Sequence, residues 1–173
     1  MTDSSAAITR NPQAARAVNQ LDGAHARRAF LACCGAERWA NGMAGGRPYA
    51  SVEVLRRQAS ELFAELSRDD WLQAFSAHAA IGAPRPGDRQ GAGEQAAVAA
   101  AGDELLDALR DGNERYRQRF GHVFLIRARG RSAGELLAAL NERIENTPEQ
   151  ELRNAAAQRE ITALRLADLL DSR

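Results

Sequence analysis

The sequence predicts an all-α protein that folds as a single-domain helical bundle. Apolar residues recur at helical spacing in several segments, and short breaks containing glycine or proline separate them. The apolar–polar alternation of a strand is not found, and only Phe124 to Arg127 indicates an extended stretch. With 173 residues, the chain is long enough for one domain with a sizeable core. We expect a flexible leader at residues 1–12, which are small and polar, and a helical domain at residues 13–173.

Two helices are predicted in the first half of the chain. The segment from Ser51 to Leu66 is amphipathic, because its charged residues lie opposite an apolar face. That face consists of Val52, Leu55, Ala59, Leu62, Phe63 and Leu66. Ser51 is a suitable N-cap, since its hydroxyl can accept a hydrogen bond from an amide of the first turn. A shorter helix is predicted from Asp69 to Ser76, with Trp71, Leu72 and Phe75 as its apolar face.

The second half contains stronger boundary signals. Ser132 and Glu135 have the spacing of a capping box, and leucines follow them. A second capping box spans Thr147 to Gln150, with proline at the first helical position. We expect the helix that it opens to continue to about Leu170. The apolar side of this helix is predicted to contain Leu152, Ala156, Ala163, Leu166 and Leu170. Gly121 is expected to end an earlier helix.

Charge and hydropathy exclude several classes of protein. The formal net charge is zero, with 23 basic and 23 acidic residues, which argues against nucleic-acid binding through a basic face. No apolar run has the length of a membrane span, and residues 1–20 lack the apolar core of a secretory signal. We therefore expect no nucleic-acid partner, no membrane association and a cytoplasmic location.

The residue types present also limit the chemistry. All 23 basic residues are arginine, so a Schiff-base lysine and a P-loop lysine are excluded. The two cysteines, Cys33 and Cys34, are adjacent and unsuited to a relaxed disulfide. There are three histidines, and a metal site would need all of them or help from carboxylates. We expect neither a metal nor a cofactor.

A glycine- and proline-rich loop separates two groups suited to proton transfer. His78 follows the helix of Trp71, and Glu94 follows the segment from Gly82 to Gly93. An imidazole can accept and donate a proton near neutral pH, and a carboxylate facing it would fix its tautomer. Taken singly, each residue is also explained by interaction with a helix dipole, and the loop by a plain connection.

Two arginines and two further histidines have to be weighed in the same way. Arg165 lies among apolar residues, where a buried guanidinium needs anionic or carbonyl partners. The alternative is an arginine whose stem is buried and whose head is solvated, and Arg119 has the same two interpretations. We expect His25 and His122 to be surface or capping residues.

Five groups of residues, spread from Phe30 to Leu170, resemble the OHCU decarboxylase family. The first runs from Cys34-Gly35 through Arg38-Trp39-Ala40 to Arg47-Pro48-Tyr49. The second and third are His78-x-x-Ile81-Gly82 and Glu94-Gln95. The fourth is Asn113-x-x-Tyr116-x-x-Arg119-Phe120-Gly121-x-x-Phe124. The fifth extends from Arg131-Ser132-x-x-Glu135-Leu136-Leu137 through Arg143 and Asn146 to Ile161-x-x-Leu164-Arg165-Leu166. Their order and spacing together are specific.

The resemblance implies an activity and a set of site residues. The family decarboxylates 2-oxo-4-hydroxy-4-carboxy-5-ureidoimidazoline (OHCU) to (S)-allantoin in urate breakdown, as an all-α bundle that is usually a homodimer and uses no cofactor or metal. The resemblance further implies that His78 and Glu94 are catalytic and that Gln95 and Arg165 bind the substrate.

Two positions differ from the family pattern. Ala79 stands where the family has proline after its histidine, and Gly91 stands where it often has serine. They motivate one alternative function, a catalytically inactive helical interaction module on the same scaffold.

Overall fold

The structure, a computed structural model, describes residues 12–78, 80, 101–128 and 130–171. Nine helices form in this part of the chain, and no strand is among its elements. They are α1 (Pro12–Asn19), α2 (Gly23–Cys33), α3 (Glu37–Gly45), α4 (Val52–Ala64), α5 (Arg68–Ser76), α6 (Asp103–Phe120), α7 (Ala133–Ile144), α8 (Pro148–Arg153) and α9 (Ala155–Asp171). The all-α prediction is confirmed. The described helices include none that is both long and apolar enough to cross a membrane.

Side-chain caps fix the starts of the predicted helices. Ser51 accepts a hydrogen bond from the Val54 amide at 3.3 Å at the start of α4. Reciprocal capping boxes begin α7 at Ser132 and α8 at Thr147, as predicted. A further box at Ser67, which was not predicted, starts α5 one residue earlier than expected. Gly121 ends α6 in the left-handed region, with φ at 78°.

The expected helix from Thr147 to Leu170 is interrupted. At Asn154 the backbone has φ −67° and ψ 8°, outside the helical range, so α8 and α9 are separate helices. The side-chain amide of Asn154 donates to the Glu151 carboxylate at 2.8 Å. This local bond replaces the continuation of the helix. Ala163 is exposed, so its predicted place on the apolar side is wrong, whereas Leu166 and Leu170 are buried as expected.

Two apolar clusters form the interior. The larger one joins α1 to α5 with the end of α9, and the smaller one joins α6, α7 and the non-helical stretch 123–128. A third, small cluster lies between them and consists of Phe75, Leu125 and Ile161. Consecutive aromatic contacts also cross the larger cluster, with ring centroids 5.3 to 6.2 Å apart, through Phe30, Trp39, Phe63, Trp71 and Phe75. The end of α5 and the middle of α9 therefore both pack against buried apolar side chains.

Candidate active site

His78 lies just beyond the end of α5, as the sequence predicts. Ala77 is the C-cap of this helix, and the His78 amide donates to the Phe75 carbonyl at 3.2 Å. Only 3% of His78 is exposed. The imidazole is thus held in the interior by the last turn of α5 and does not lie on the surface as a solvated cap.

A glycine allows the end of α5 to approach the end of α2 closely. A Cβ atom added at Gly35 would lie 2.2 Å from the Ala77 Cβ and 3.3 Å from the Ala74 carbonyl oxygen. Cβ atoms are not found at 2.2 Å from one another, so any side chain at this position would push the two helix ends apart. Gly35 therefore sets the position of the turn that carries His78.

Arg165 is buried on α9. It is 6% exposed, and its Nη1 donates to the Ala32 carbonyl near the end of α2 at 3.3 Å. Its neighbour Leu166 belongs to the larger apolar cluster. Of the two interpretations of Arg165, the structure shows the buried one, with a carbonyl among its partners.

The two buried residues are in contact across the molecule. Arg165 Nη2 lies 3.3 Å from His78 Nδ1. Because a guanidinium has donors and no acceptor, Nδ1 must be the acceptor in this hydrogen bond. The ring is then neutral and carries its single proton on Nε2. A contact between the turn after α5 and helix α9 thus specifies the tautomer of His78.

A row of buried polar groups continues from this pair. Thr162 and Gln158, one and two turns before Arg165 on α9, are 1% and 0% exposed. The Gln158 amide donates to the Thr162 hydroxyl at 3.2 Å and lies 3.8 Å from the Cys34 sulfur. Burial raises the pKa of the Cys33 thiol to about 12 and also raises that of Cys34. Both thiols are protonated at neutral pH, so neither is a thiolate nucleophile.

Several candidates from the sequence fall on residues that the structure does not describe. Glu94, Gln95, Ala79, Gly91 and the loop from Gly82 to Gly93 lie outside the described residues. Within the described ranges, no three His, Cys, Asp or Glu side chains are grouped so as to hold a metal ion.

His25, Arg119 and His122 lie apart from the buried pair. His25 is exposed and pairs with Asp22 at the start of α2, as expected. Arg119 is exposed and donates to the Asn146 carbonyl at 3.2 Å.

His122 is half-buried, so the expected surface or capping role is incomplete: its ring also packs among aromatic side chains. Its ring centroid lies 4.9 Å from that of Phe75 and 5.6 Å from that of Tyr116. Burial lowers the pKa of His122, so the neutral ring is favoured within these aromatic side chains. Directly after the helix-ending Gly121, the chain turns so that the His122 ring packs against Phe75 and Tyr116.

Sequence reasoning also missed the buried carboxylate of Glu151. A glutamate in the first turn of a helix is usually explained by the helix dipole. In this chain it is 1% exposed and accepts hydrogen bonds from side chains of three other segments. In the sequence, only the spacing of Arg143, Asn146 and Glu151 indicates that these side chains could meet.

Comparison with known proteins relates this chain to a family model and to two named relatives. Residues 19–167 match the family model described as OHCU decarboxylase. The Arabidopsis thaliana protein named "Uric acid degradation bifunctional protein TTL" is 38% identical over 149 residues, which cover 82% of this chain and 46% of that protein. The chain therefore spans less than half the length of this plant relative. The 2-oxo-4-hydroxy-4-carboxy-5-ureidoimidazoline decarboxylase of Haloferax volcanii is 29% identical over 131 residues, covering 73% of this chain and 77% of that protein.

Two solved structures share the architecture. A crystal structure of OHCU decarboxylase in the presence of (S)-allantoin superposes with a TM-score of 0.73 at 36% identity, covering 82% of this chain and 96% of that chain. A crystal structure of (S)-allantoin synthase gives a TM-score of 0.65 at 18% identity, covering 90% of this chain and 53% of that chain. At that low identity, the second similarity supports the fold alone.

Proposed function

This chain belongs to the OHCU decarboxylase family, and we propose that it converts OHCU to (S)-allantoin in urate breakdown. The observation that carries the proposal is the buried contact between His78 and Arg165, in a chain 36% identical to a solved OHCU decarboxylase. A neutral imidazole with a defined proton position is suited to a reaction that needs one proton delivered to one face of a carbon atom.

The proposed reaction breaks one carbon–carbon bond and forms one carbon–hydrogen bond. As carbon dioxide leaves, the electron pair of the broken bond stays on the ring carbon and is delocalised into the adjacent imine and carbonyl groups. The substrate thus provides its own electron sink. What the protein must provide is electrostatic stabilisation of the developing anion and a proton on one face.

His78 is the proposed proton donor. Its Nδ1 accepts a hydrogen bond from Arg165, so the proton available for transfer is the one on Nε2. Transfer of this proton to the ring carbon leaves an imidazolate, whose charge the Arg165 guanidinium on Nδ1 offsets, and a proton from solvent restores the neutral ring before the next turnover. In this proposal Glu94 sets the orientation and charge of the imidazole, while Arg165 and Gln95 hold ureido and ring oxygens of the substrate. The roles of Glu94 and Gln95 rest on the family resemblance.

Circular dichroism of the allantoin formed from urate tests the function. Urate oxidase and hydroxyisourate hydrolase generate the labile substrate in place, with and without this protein. We expect (S)-allantoin to accumulate rapidly only in the presence of the protein. A trace equal to the slow racemic background, from a sample shown to be folded, would overturn the proposal and favour the inactive interaction module.

We also propose that the chain acts as a cytoplasmic homodimer without nucleic-acid or membrane partners. The family resemblance and the balanced charge support this assembly and location. Light scattering of the purified chain should give twice the monomer mass of 18.7 kDa. A monomer mass across the concentration range used for the assay would contradict the homodimer, and recovery in a membrane fraction would contradict the location.

A further inference from the structure

The Glu151 carboxylate is the centre of a buried hydrogen-bond network. Arg143 Nη2 donates to one of its oxygens at 2.7 Å, and the Tyr116 hydroxyl donates to the same oxygen. Asn146 and Asn154 donate to the other oxygen at 2.6 and 2.8 Å. One side chain of α8 thus connects α6, the end of α7 and the break before α9.

Arg143 extends this network to the non-helical stretch 123–128. Its Nη1 donates to the Leu125 carbonyl at 2.7 Å, and its guanidinium lies 4.7 Å from the centroid of the Phe124 ring. A stretch without helical hydrogen bonds depends on such contacts for its position. The ion pair of Arg143 with Glu151 therefore fixes where Leu125 lies.

The Leu125 side chain connects the network to the candidate active site. It is 5% exposed and packs in one cluster with Phe75 and Ile161. Phe75 provides the carbonyl that accepts from the His78 amide. Ile161 lies one turn before Arg165 on α9. Leu125 is thus packed against both elements that carry the buried pair.

We infer that Glu151 is a positioning residue for the proposed decarboxylation, acting through Arg143 and Leu125 on the geometry of His78 and Arg165. The expected effect on kcat rests on the proposed function. The expected dependence of the His78–Arg165 contact on Glu151 does not require that function. Positioning matters here because a displacement of about 1 Å at a reacting group can reduce the rate roughly a hundredfold.

The variant Glu151→Gln tests the inference while keeping the size of the side chain. A neutral amide leaves the half-buried Arg143 without its anionic partner. It also places an NH₂ group against the hydrogen-bond donors of the network, so the network must rearrange. Glu149→Gln is the matched control, because Glu149 lies on the same helix and is exposed.

Nitrogen NMR of the imidazoles gives a readout that needs no activity. The chain has three histidines, so a His78→Gln sample assigns the His78 signals. In the wild type we expect the signals of a neutral ring protonated on Nε2. In Glu151→Gln we expect these signals to move or broaden, whereas Glu149→Gln should leave them unchanged.

The kinetic part predicts that Glu151→Gln lowers kcat roughly tenfold to a hundredfold, at temperatures where the variant is fully folded. A lowered melting temperature with wild-type kcat and wild-type His78 signals would overturn the inference, since it would show a structural role alone. An inactive wild type would refute the proposed function instead, and the NMR comparison would still decide the positioning role.

Tyr116→Phe is the second variant, for use if Glu151→Gln does not fold. It removes one hydrogen bond to the carboxylate and keeps the ring contacts of Tyr116. We expect the His78 signals to shift in the same direction as in Glu151→Gln, but by less.

A double variant tests whether the effect passes through Leu125. In Tyr116→Phe combined with Leu125→Ala, the loss of kcat should be less than the product of the losses in the two single variants, because both changes act through Leu125. Independent, multiplying effects would contradict the proposed connection.

Discussion

Arg143 and Arg165 are both mostly withdrawn from solvent, but they meet different kinds of acceptor. Arg143 donates to the carboxylate of Glu151, whereas Arg165 donates to an imidazole nitrogen of His78. The first contact neutralises a buried anion, so its loss lowers stability, and in the proposed positioning role it also acts on the site through Leu125. The second places a cation against a neutral ring, so it determines where that ring carries its proton. The same type of side chain thus holds a buried carboxylate in one region and specifies the proton position of an imidazole in the other.

The largest expected effect lies in the Arg143 region. Arg143→Ala leaves the buried Glu151 carboxylate without its cation, which destabilises a protein by roughly 3–5 kcal/mol. For a chain of this length, the melting temperature should fall by on the order of 10 °C. Thermal unfolding followed by far-UV circular dichroism measures the shift.

Arg110→Ala is the matched control for that measurement. Arg110 pairs with Asp107 at 2.6 Å, but both side chains are more than half exposed. Surface pairs contribute about 0–1 kcal/mol, so its melting temperature should stay close to that of the wild type. Equal shifts in the two variants would remove the distinction between the buried network and an ordinary surface pair.

The next effect concerns turnover rather than stability. His78→Ala removes the proposed proton donor, so kcat should fall on the order of a hundredfold or more. The product should also lose its enantiomeric excess, because protonation by solvent occurs on either face. The coupled urate assay measures both quantities. Full rate together with full enantiomeric excess would show that His78 is not the proton donor.

Gly35 offers a geometric test of the same region. Gly35→Ala places a Cβ against Ala77, and relieving that clash should destabilise the chain by roughly 1–3 kcal/mol. It should also lower kcat, since the displaced turn carries His78. Gly134→Ala is the control, because a Cβ there meets nothing closer than 4.0 Å. If both variants keep wild-type stability and rate, the contact between α2 and α5 does not set the site.

The smallest expected effect is a change in the pH dependence of stability, and it concerns His122, which lies between the two regions. Burial lowers its pKa in the folded state below the ordinary value of 6.5. Between those two pKa values the unfolded chain binds more protons, so stability is full above about pH 6.5 and is lost as the pH falls through the folded pKa. In His122→Phe this loss between pH 7.5 and 5 should be reduced, as measured by urea unfolding at the two pH values. An unchanged pH dependence would show that His122 is not its source.

The sequence predicts features that depend on neighbouring residues. The caps at Ser51, Ser132 and Thr147 and the helix end at Gly121 are each determined within about four residues, and all are present in the structure. The break at Asn154 has no such signal, because no glycine or proline marks it. It follows from the bond between the Asn154 amide and Glu151, whose own position depends on distant segments.

The candidate site could be predicted only in part for the same reason. His78 and Arg165 are unusual in their local sequence, which is enough to select them. Their contact joins positions 87 residues apart, and the Arg165–Ala32 contact joins positions 133 residues apart. No local pattern contains such a pairing. The Glu151 network was missed because a charged residue near a helix start has a simpler local explanation.

The buried cysteines at the end of α2 make the opening of this region measurable in real time. Cys33 and Cys34 follow Ala32, whose carbonyl anchors Arg165, and both are fully buried. A thiol with its pKa raised to about 12 reacts with an alkylating reagent only after the region unfolds locally. The rate of alkylation therefore gives the frequency of these openings in the native protein. Because the alkylation measurement needs no substrate, it can compare the local stability of the region around the Arg165–Ala32 contact among variants before any turnover is assayed.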